Sequence, residues 1–420
     1  MLAHELRAAF ATRIAATYGR EVPAYTTLVE VAAQVNADVV ARDPRAAQRL
    51  GSIERVTAER HGAIRVGTPA ELWQVSRVFA ALGMYPVGFY DLRDAGDSAV
   101  PVVSTAFRPV AAEELARNPF RMFTSLLVTG DRRFFSEDLQ QRLETFLATR
   151  RLFPPRLLEL AETAIAAGGL DGELAEEFLA LATTSFELSP EPVSRSWYAE
   201  LAAVSSVAAD IGGVRSTHIN HLTPRVLDID ELYRRMAARG VTMIDAIQGP
   251  PRWDGPDVLL RQTSFRALDE RCTFHETDGS LSEGTLRVRF GEVEARGLAL
   301  TPAGRARYDA ALLAIDSRPG EDAAVLWGEF FPRTEAELFD AGLAYYETAP
   351  DGTRSPIVYE DFLPRSAAGI FQSNLVGAGS RDESGRAASR DAGWLSDVIG
   401  AEVIDPFELY AAQQTDNSPR

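Results

Sequence analysis

The sequence contains no lysine, so the 43 residues of the Lys+Arg count are all arginine. A chain without lysine forms no Schiff base with pyridoxal phosphate or a carbonyl substrate and carries no Walker A lysine, which excludes those enzyme classes. Each strong cation is instead a planar, permanently charged guanidinium suited to carboxylates and phosphates. Positive charge is scarce overall, since 60 acidic residues leave a formal charge of -17. That balance argues against a nucleic-acid partner, whose binding draws on clustered basic residues. Cysteine is limited to Cys272, which excludes an intrachain disulfide or a cysteine-built zinc cluster and fits a reducing compartment. No run approaches the roughly 20 apolar residues that span a bilayer. The segment MLAHELRAAFATRIAATYGRE also lacks the basic start and apolar core of a signal peptide. The expectation is a soluble, cytoplasmic protein with no membrane partner.

What is present is an ordinary globular composition, 46% apolar and 25% charged, in a chain of 420 residues that is too long for one core. Apolar residues at helical spacing, as in Leu6, Phe10, Ile14 and Tyr18, mark residues 1–58 as a helical N-terminal segment. Residues 59–131 change period: runs at 63–66, 85–90, 102–107 and 123–128 read as strands, with one helix between Pro69 and Leu82. A helical insert follows over 132–212, a second strand-rich module over 213–305, and a C-terminal region over 306–420 that is expected to contribute to the substrate pocket. The last eight residues, QQTDNSPR, are expected to be disordered. The class is α+β, and the sequence is silent on oligomeric state.

The two strand-rich modules repeat a local pattern. HGAIRVGTPAELW, from His61, and HLTPRVLDIDELY, from His221, share His, Arg, Val, Glu and Leu at the same offsets. Thr68-Pro69-Ala70-Glu71 is a capping box, and Asp228 with Glu231 repeats its spacing, so each segment predicts a strand that starts at a histidine and turns into a capped helix. If the two copies pair about a pseudo-twofold axis, His61 and His221 meet across 160 residues and begin a metal site. A carboxylate is expected from the strand predicted over 286–300, where Glu292 and Glu294 lie two apart; alternation places both on one face and does not choose between them. Two histidines and a carboxylate form the facial arrangement of non-haem Fe(II) oxygenases, with zinc the main competitor.

The other histidines are weaker candidates. His218 lies an odd number of residues from His221, so a strand sends it to the opposite face. His275 sits in turn-like sequence, and His4 is predicted to be exposed. Arg65 and Arg225 each follow their histidine by four residues and share its face, which suits an elongated acid held by metal at one end and arginine at the other. For Arg225 a surface ion pair is at least as good a reading. Gln372, Ser373 and Asn374 are candidate polar contacts to substrate or to groups that support the site, with a self-satisfied turn as the alternative.

Together His61-Gly62-Ala63-Ile64-Arg65, Asn220-His221-Leu222-Thr223-Pro224-Arg225, Glu294-Ala295-Arg296-Gly297, Tyr359-Glu360-Asp361-Phe362-Leu363-Pro364 and Gly369-Ile370-Phe371-Gln372-Ser373-Asn374-Leu375 resemble the 2-oxoadipate dioxygenase/decarboxylase family. The resemblance implies two paired βαβββ-type modules, similar to the vicinal oxygen chelate superfamily, forming a central curved sheet with helical N-terminal and inserted segments. It implies an Fe(II) enzyme of lysine breakdown that takes 2-oxoadipate and O₂ to 2-hydroxyglutarate and CO₂. By motif it implies His61, His221 and Glu294 as metal ligands and Arg65 as the partner of a substrate carboxylate. Arg365 stands where the family leads one to expect a small apolar residue, which points to a second carboxylate contact or a changed chain-length preference. Two other readings share these residues: a metal-dependent isomerase or lyase with no redox step, and a non-catalytic small-molecule binding protein.

Overall fold

The structure, a computed structural model, describes residues 1–44, 55–56, 60–94, 99–287, 289–349, 351–363, 370, 374, 382 and 384–416. The first strand-rich segment folds as β1 (Arg60–Val66), a helix (Pro69–Ala81), β2 (Tyr85–Asp91), β3 (Val102–Arg108) and β4 (Arg121–Leu127). The helix starts where the capping box places it. Thr68 Oγ1 accepts from the Glu71 amide at 3.1 Å, and Glu71 Oε2 accepts from the Thr68 amide at 3.2 Å. Within the sheet β1 runs parallel to β4, while β3 is antiparallel to both β4 and β2.

The second histidine segment repeats this layout. β5 (Val193–Ser194) belongs to the helical insert, and β6 (His221–Pro224) then leads into a helix (Ile229–Ala238) capped by Asp228, whose Oδ1 accepts from the Glu231 amide at 3.0 Å. After β7 (Leu260–Phe265), a hairpin of β8 (Glu270–His275) and β9 (Leu281–Leu286) departs to pair with β5, and β10 (Gly291–Arg296) returns antiparallel to β7. β6 and β10 join in parallel through the Arg225–Glu294 bridge, and Met243 and Gln248 bridge β7 antiparallel, in the place β2 holds beside β3. The strand expected over 286–300 is therefore divided: Leu286 ends β9 and Gly291 opens β10.

The two halves meet at β1 and β6, which pair antiparallel with His61 opposite Thr223 and Ala63 opposite His221. A shift of 160 residues maps each of these pairs onto the other, so the register is that of a twofold axis relating His61 to His221. Residues directly opposite in an antiparallel pair share a face. His61, Ala63, His221 and Thr223 therefore lie on one side of the sheet.

The two faces are covered differently. One carries Ile64, Val66, Met122 and Leu126 and packs against the N-terminal helices (Ala3–Glu21, Pro23–Arg42) and the helix Pro69–Ala81. The other carries Ala63, Phe123 and Phe290 and is roofed by Leu139, Leu143 and Leu147 of the helix Glu137–Ala148, by Val207 and Ile211 of the helix Ser206–Gly213, and by Phe362. A third apolar cluster, with Tyr308, Trp327, Tyr359 and Tyr410, gathers C-terminal residues around Leu298 and Leu300. The last eight residues are not structureless at their start. The helix Pro406–Asp416 runs into them, fastened by Gln413 Nε2 donating to Glu347 at 2.5 Å and by Gln414 Oε1 accepting from the Tyr346 amide at 3.1 Å. Among the described residues no helix is long and apolar enough to cross a membrane.

Candidate metal centre

β1, β6 and β10 deliver His61, His221 and Glu292 to one buried point, with a ligand atom from each lying within 4.8 Å of the others. Glu292 Oε1 lies 3.6 Å from His61 Nε2, and its Oε2 lies 3.6 Å from His221 Nε2. Ligand atoms about 2.1 Å from one divalent ion stand roughly 3.0–3.4 Å apart, so little adjustment brings all three onto a single cation. The imidazole rings are nearly perpendicular, with centroids 5.4 Å apart. Phe362 packs its ring edgewise on His61 at 4.9 Å, and Phe290 stacks on His221 at 5.1 Å.

The far side of each ligand is held as well. Glu294 Oε2 lies 3.2 Å from His61 Nδ1, while Arg296 binds both Glu294 oxygens, at 2.7 and 2.9 Å. His221 Nδ1 pairs with Thr223 Oγ1 at 3.0 Å, and Gln262 Nε2 donates to Glu292 Oε1. A carboxylate on the second ring nitrogen of a histidine fixes its tautomer and raises its basicity as a ligand. Alternation put both glutamates on one face, as expected; the structure separates their places across it, Glu292 facing the two Nε2 atoms and Glu294 the Nδ1 side of His61. The resemblance implied Glu294 as the ligand; its carboxylate is engaged by Arg296 and lies beside His61 Nδ1, while Glu292 is the carboxylate that groups with both histidines.

The electrostatics suit a cation. Burial pushes the His61 imidazolium down against the opposing charge of Glu294, and burial with His61 and Arg65 pushes His221 well down, so both rings are neutral donors. Burial and then Glu294 push the Glu292 carboxyl well up, a penalty that a divalent ion would remove. Burial also opposes ionisation of Glu294, but Arg296 and His61 outweigh it and hold that carboxyl down at about 2. The donor set of two imidazoles and one carboxylate fits Fe(II) or zinc.

Arg65 lies 4% exposed, with its Nη1 on Asp210 and its charge felt by His221. Asp210 also meets His218 Nε2 at 3.2 Å, which accounts for His218 being buried yet outside the triad. Arg225 is not a surface cation; it is 1% exposed, and its carbonyl accepts from Asn36 Nδ2 at 3.1 Å. His275, expected in a turn, is exposed but ends β8, and His4, expected to be exposed, is half-buried in the first helix. Asn374 is buried and committed to the protein, donating to Ser264 Oγ at 2.8 Å and the Ile370 carbonyl at 3.0 Å while accepting from the Ala267 amide. Arg365, Gln372 and Ser373 lie outside the described residues.

Several contributors escaped the sequence reading. Arg296 had a signal, since Glu294 and Arg296 lie two apart on one strand and share a face. Phe362 lay in one of the motifs that carry the resemblance but had no role assigned, and Gln262 and Asp210 had no signal, because each reaches the site from another part of the chain.

Sequence and structure comparisons identify the chain's relatives. A profile of the 2-oxoadipate dioxygenase/decarboxylase family matches residues 10–374. The 2-oxoadipate dioxygenase/decarboxylase of Mycobacterium tuberculosis is 60% identical over 412 residues, covering 97% of this chain and 96% of its own. The crystal structure of hydroxyglutarate synthase from Pseudomonas putida in complex with 2-oxoadipate superposes with a TM-score of 0.84 at 37% identity, over 99% of this chain and 97% of that one. A glyoxalase superfamily protein from Ralstonia eutropha shares the fold, with a TM-score of 0.54 at 21% identity over 70% of this chain and 84% of that one. With its paired modules, its buried donor triad and its match over nearly the full length, this chain belongs to the 2-oxoadipate dioxygenase/decarboxylase family.

Proposed function

We propose that this protein is an Fe(II)-dependent dioxygenase that converts 2-oxoadipate and O₂ to 2-hydroxyglutarate and CO₂, a step of lysine breakdown in the setting the family implies. The observation that carries the reading is the convergence of His61, His221 and Glu292 on one buried point. The 37% identical synthase that binds 2-oxoadipate supports the choice of substrate. Bound to these three side chains, ferrous iron supplies a centre for a 2-oxo acid and for dioxygen chemistry.

The chain's own groups do the rest. Glu294 holds the His61 ring by its Nδ1 face, and Thr223 and Gln262 hold His221 and Glu292, so the donors are oriented before metal or substrate arrives. Phe362 and Phe290 pack against the two imidazoles and exclude water from their flanks. Arg65, on the face of His61 and beside His221, pairs with the substrate carboxylate remote from the metal and so fixes which carbon lies nearest it. Atoms balance without any further co-substrate, since C₆H₈O₅ and O₂ equal C₅H₈O₅ and CO₂.

The test is oxygen uptake by Fe(II)-loaded protein with 2-oxoadipate, with CO₂ and 2-hydroxyglutarate measured together. One O₂ consumed per CO₂ released is the expected result. Turnover of 2-oxoadipate under strict anaerobiosis, as a non-redox isomerase or lyase would give, overturns it.

A further inference from the structure

Asp210 lies on the helix Ser206–Gly213 of the insert, 145 residues from Arg65, with its side chain 2% exposed. Its Oδ2 accepts from Arg65 Nη1 and, at 2.9 Å, from Asn220 Nδ2, while its Oδ1 lies 3.2 Å from His218 Nε2. Asn220 Nδ2 also lies 3.2 Å from His218 Nε2, and Thr217 Oγ1 donates to the Arg65 carbonyl at 2.8 Å. Asp210 thus meets the Arg65 guanidinium directly, and two further buried polar side chains, His218 and Asn220, hold Asp210 in turn. None of the three belongs to the donor triad. A buried carboxylate is costly, and an apolar residue on this helix would pack against the same roof as Val207 and Ile211 without that cost. An arginine side chain has several free torsions, and ordering it only when a ligand arrives weakens binding.

We propose that Asp210, steadied by His218 and Asn220, is a positioning residue that presets the Arg65 guanidinium beside His221 and thereby makes the site select 2-oxo acids with a second carboxylate. The proposal rests on the reading of Arg65 as the partner of the substrate's remote carboxylate. Asp210 touches neither metal nor substrate; it acts through Arg65.

The experiment compares wild type, Asp210→Asn, Asp210→Glu and His218→Gln as full-length, Fe(II)-loaded proteins. Anaerobic calorimetric titration gives the Kd of 2-oxoadipate and of 2-oxohexanoate, which has the same length but no second carboxylate; iron content, melting temperature and aerobic kcat and KM are read alongside. In Asp210→Asn the Kd and KM for 2-oxoadipate rise about 10-fold while kcat stays within about threefold and 2-oxohexanoate is unaffected. Asp210→Glu recovers part of the loss, and His218→Gln shows a smaller shift in the same direction, which also covers an Asp210→Asn protein that does not fold. Equal weakening of both ligands, unchanged 2-oxoadipate affinity, or failure of both Asp210→Asn and His218→Gln to fold overturns the proposal. A wild type that binds 2-oxoadipate yet consumes no O₂ defeats the dioxygenase reading instead and leaves the affinity comparison to decide this one.

Discussion

Glu292 and Glu294 show how much two residues of separation decide. Both are buried on the same face of β10, yet one faces two imidazole Nε2 atoms and the other is gripped by Arg296 behind His61. Their roles therefore separate under isosteric substitution. Glu292→Gln removes a charged donor, and the purified variant is expected to lose stoichiometric iron after anaerobic reconstitution. Glu294→Gln keeps all three donors but weakens the support of His61 and removes the charged partner of Arg296, so metal still binds, about 10- to 100-fold more weakly. Metal analysis after dialysis distinguishes them, and the reverse pattern would restore Glu294 as the ligand. Strand alternation reports the face a side chain takes but not how far across the sheet its atoms lie, which is why the spacing alone left both glutamates open.

At the scale of elements, the segment 359–363 is clasped by arginines from three strands. Arg108 of β3 binds both oxygens of Asp361, at 2.7 and 3.1 Å; Arg121 of β4 binds Glu360 at 2.6 Å; Arg296 of β10 donates to the carbonyls of Tyr359 and Asp361. Tyr410, from the helix Pro406–Asp416, adds its hydroxyl to Asp361 at 2.5 Å. These clasps place Phe362 on His61. Asp361→Ala strands the Arg108 charge in the interior and is expected to cost about 3–5 kcal/mol in urea unfolding. Glu162→Ala, which breaks a half-exposed pair with Arg77, is expected to cost under about 1 kcal/mol in the same assay. A lysine at Arg108 would keep the charge but not the two-pronged geometry, so this chain's arginine is not interchangeable there. The Glu-x-Arg-Gly motif also has a packing reason for its glycine: a Cβ at Gly297 would lie 2.3 Å from the Asp257 carbonyl oxygen.

For the whole molecule, the donor triad spans the joint between the two modules, with His61 from one and His221 and Glu292 from the other. A metal bound there stabilises the folded chain by its binding free energy, about 2.7 kcal/mol when free metal is 100 times its Kd. Chelation is accordingly expected to lower the melting temperature of the loaded protein, and re-addition of Fe(II) to restore it. His61→Ala should abolish that metal-dependent difference while keeping the fold. A wild-type melting temperature indifferent to chelator and metal would contradict a cation at this joint. At the same scale, Arg65, Arg108, Arg121, Arg225 and Arg296 are all buried, and four of them are matched by the buried carboxylates of Asp210, Asp361, Glu360 and Glu294, so these interior cations are held in ion pairs in a chain of formal charge -17.

The local grammar was legible in one dimension. Strand–turn–helix units after His61 and His221, their caps at Thr68 and Asp228, and the shared face of His61 with Arg65 all follow from contacts within a few residues, where periodicity and capping act. The equivalence of the two histidines was legible too, because duplication leaves its mark at a constant offset. Only the tertiary structure decided which nitrogen of His61 meets which glutamate, that Asp210 reaches Arg65 across 145 residues, and that Arg225 is buried and not at the surface. Such contacts depend on how strands register and how an inserted helix settles over a sheet, and side-chain depth and distance in space leave no periodic trace along the chain.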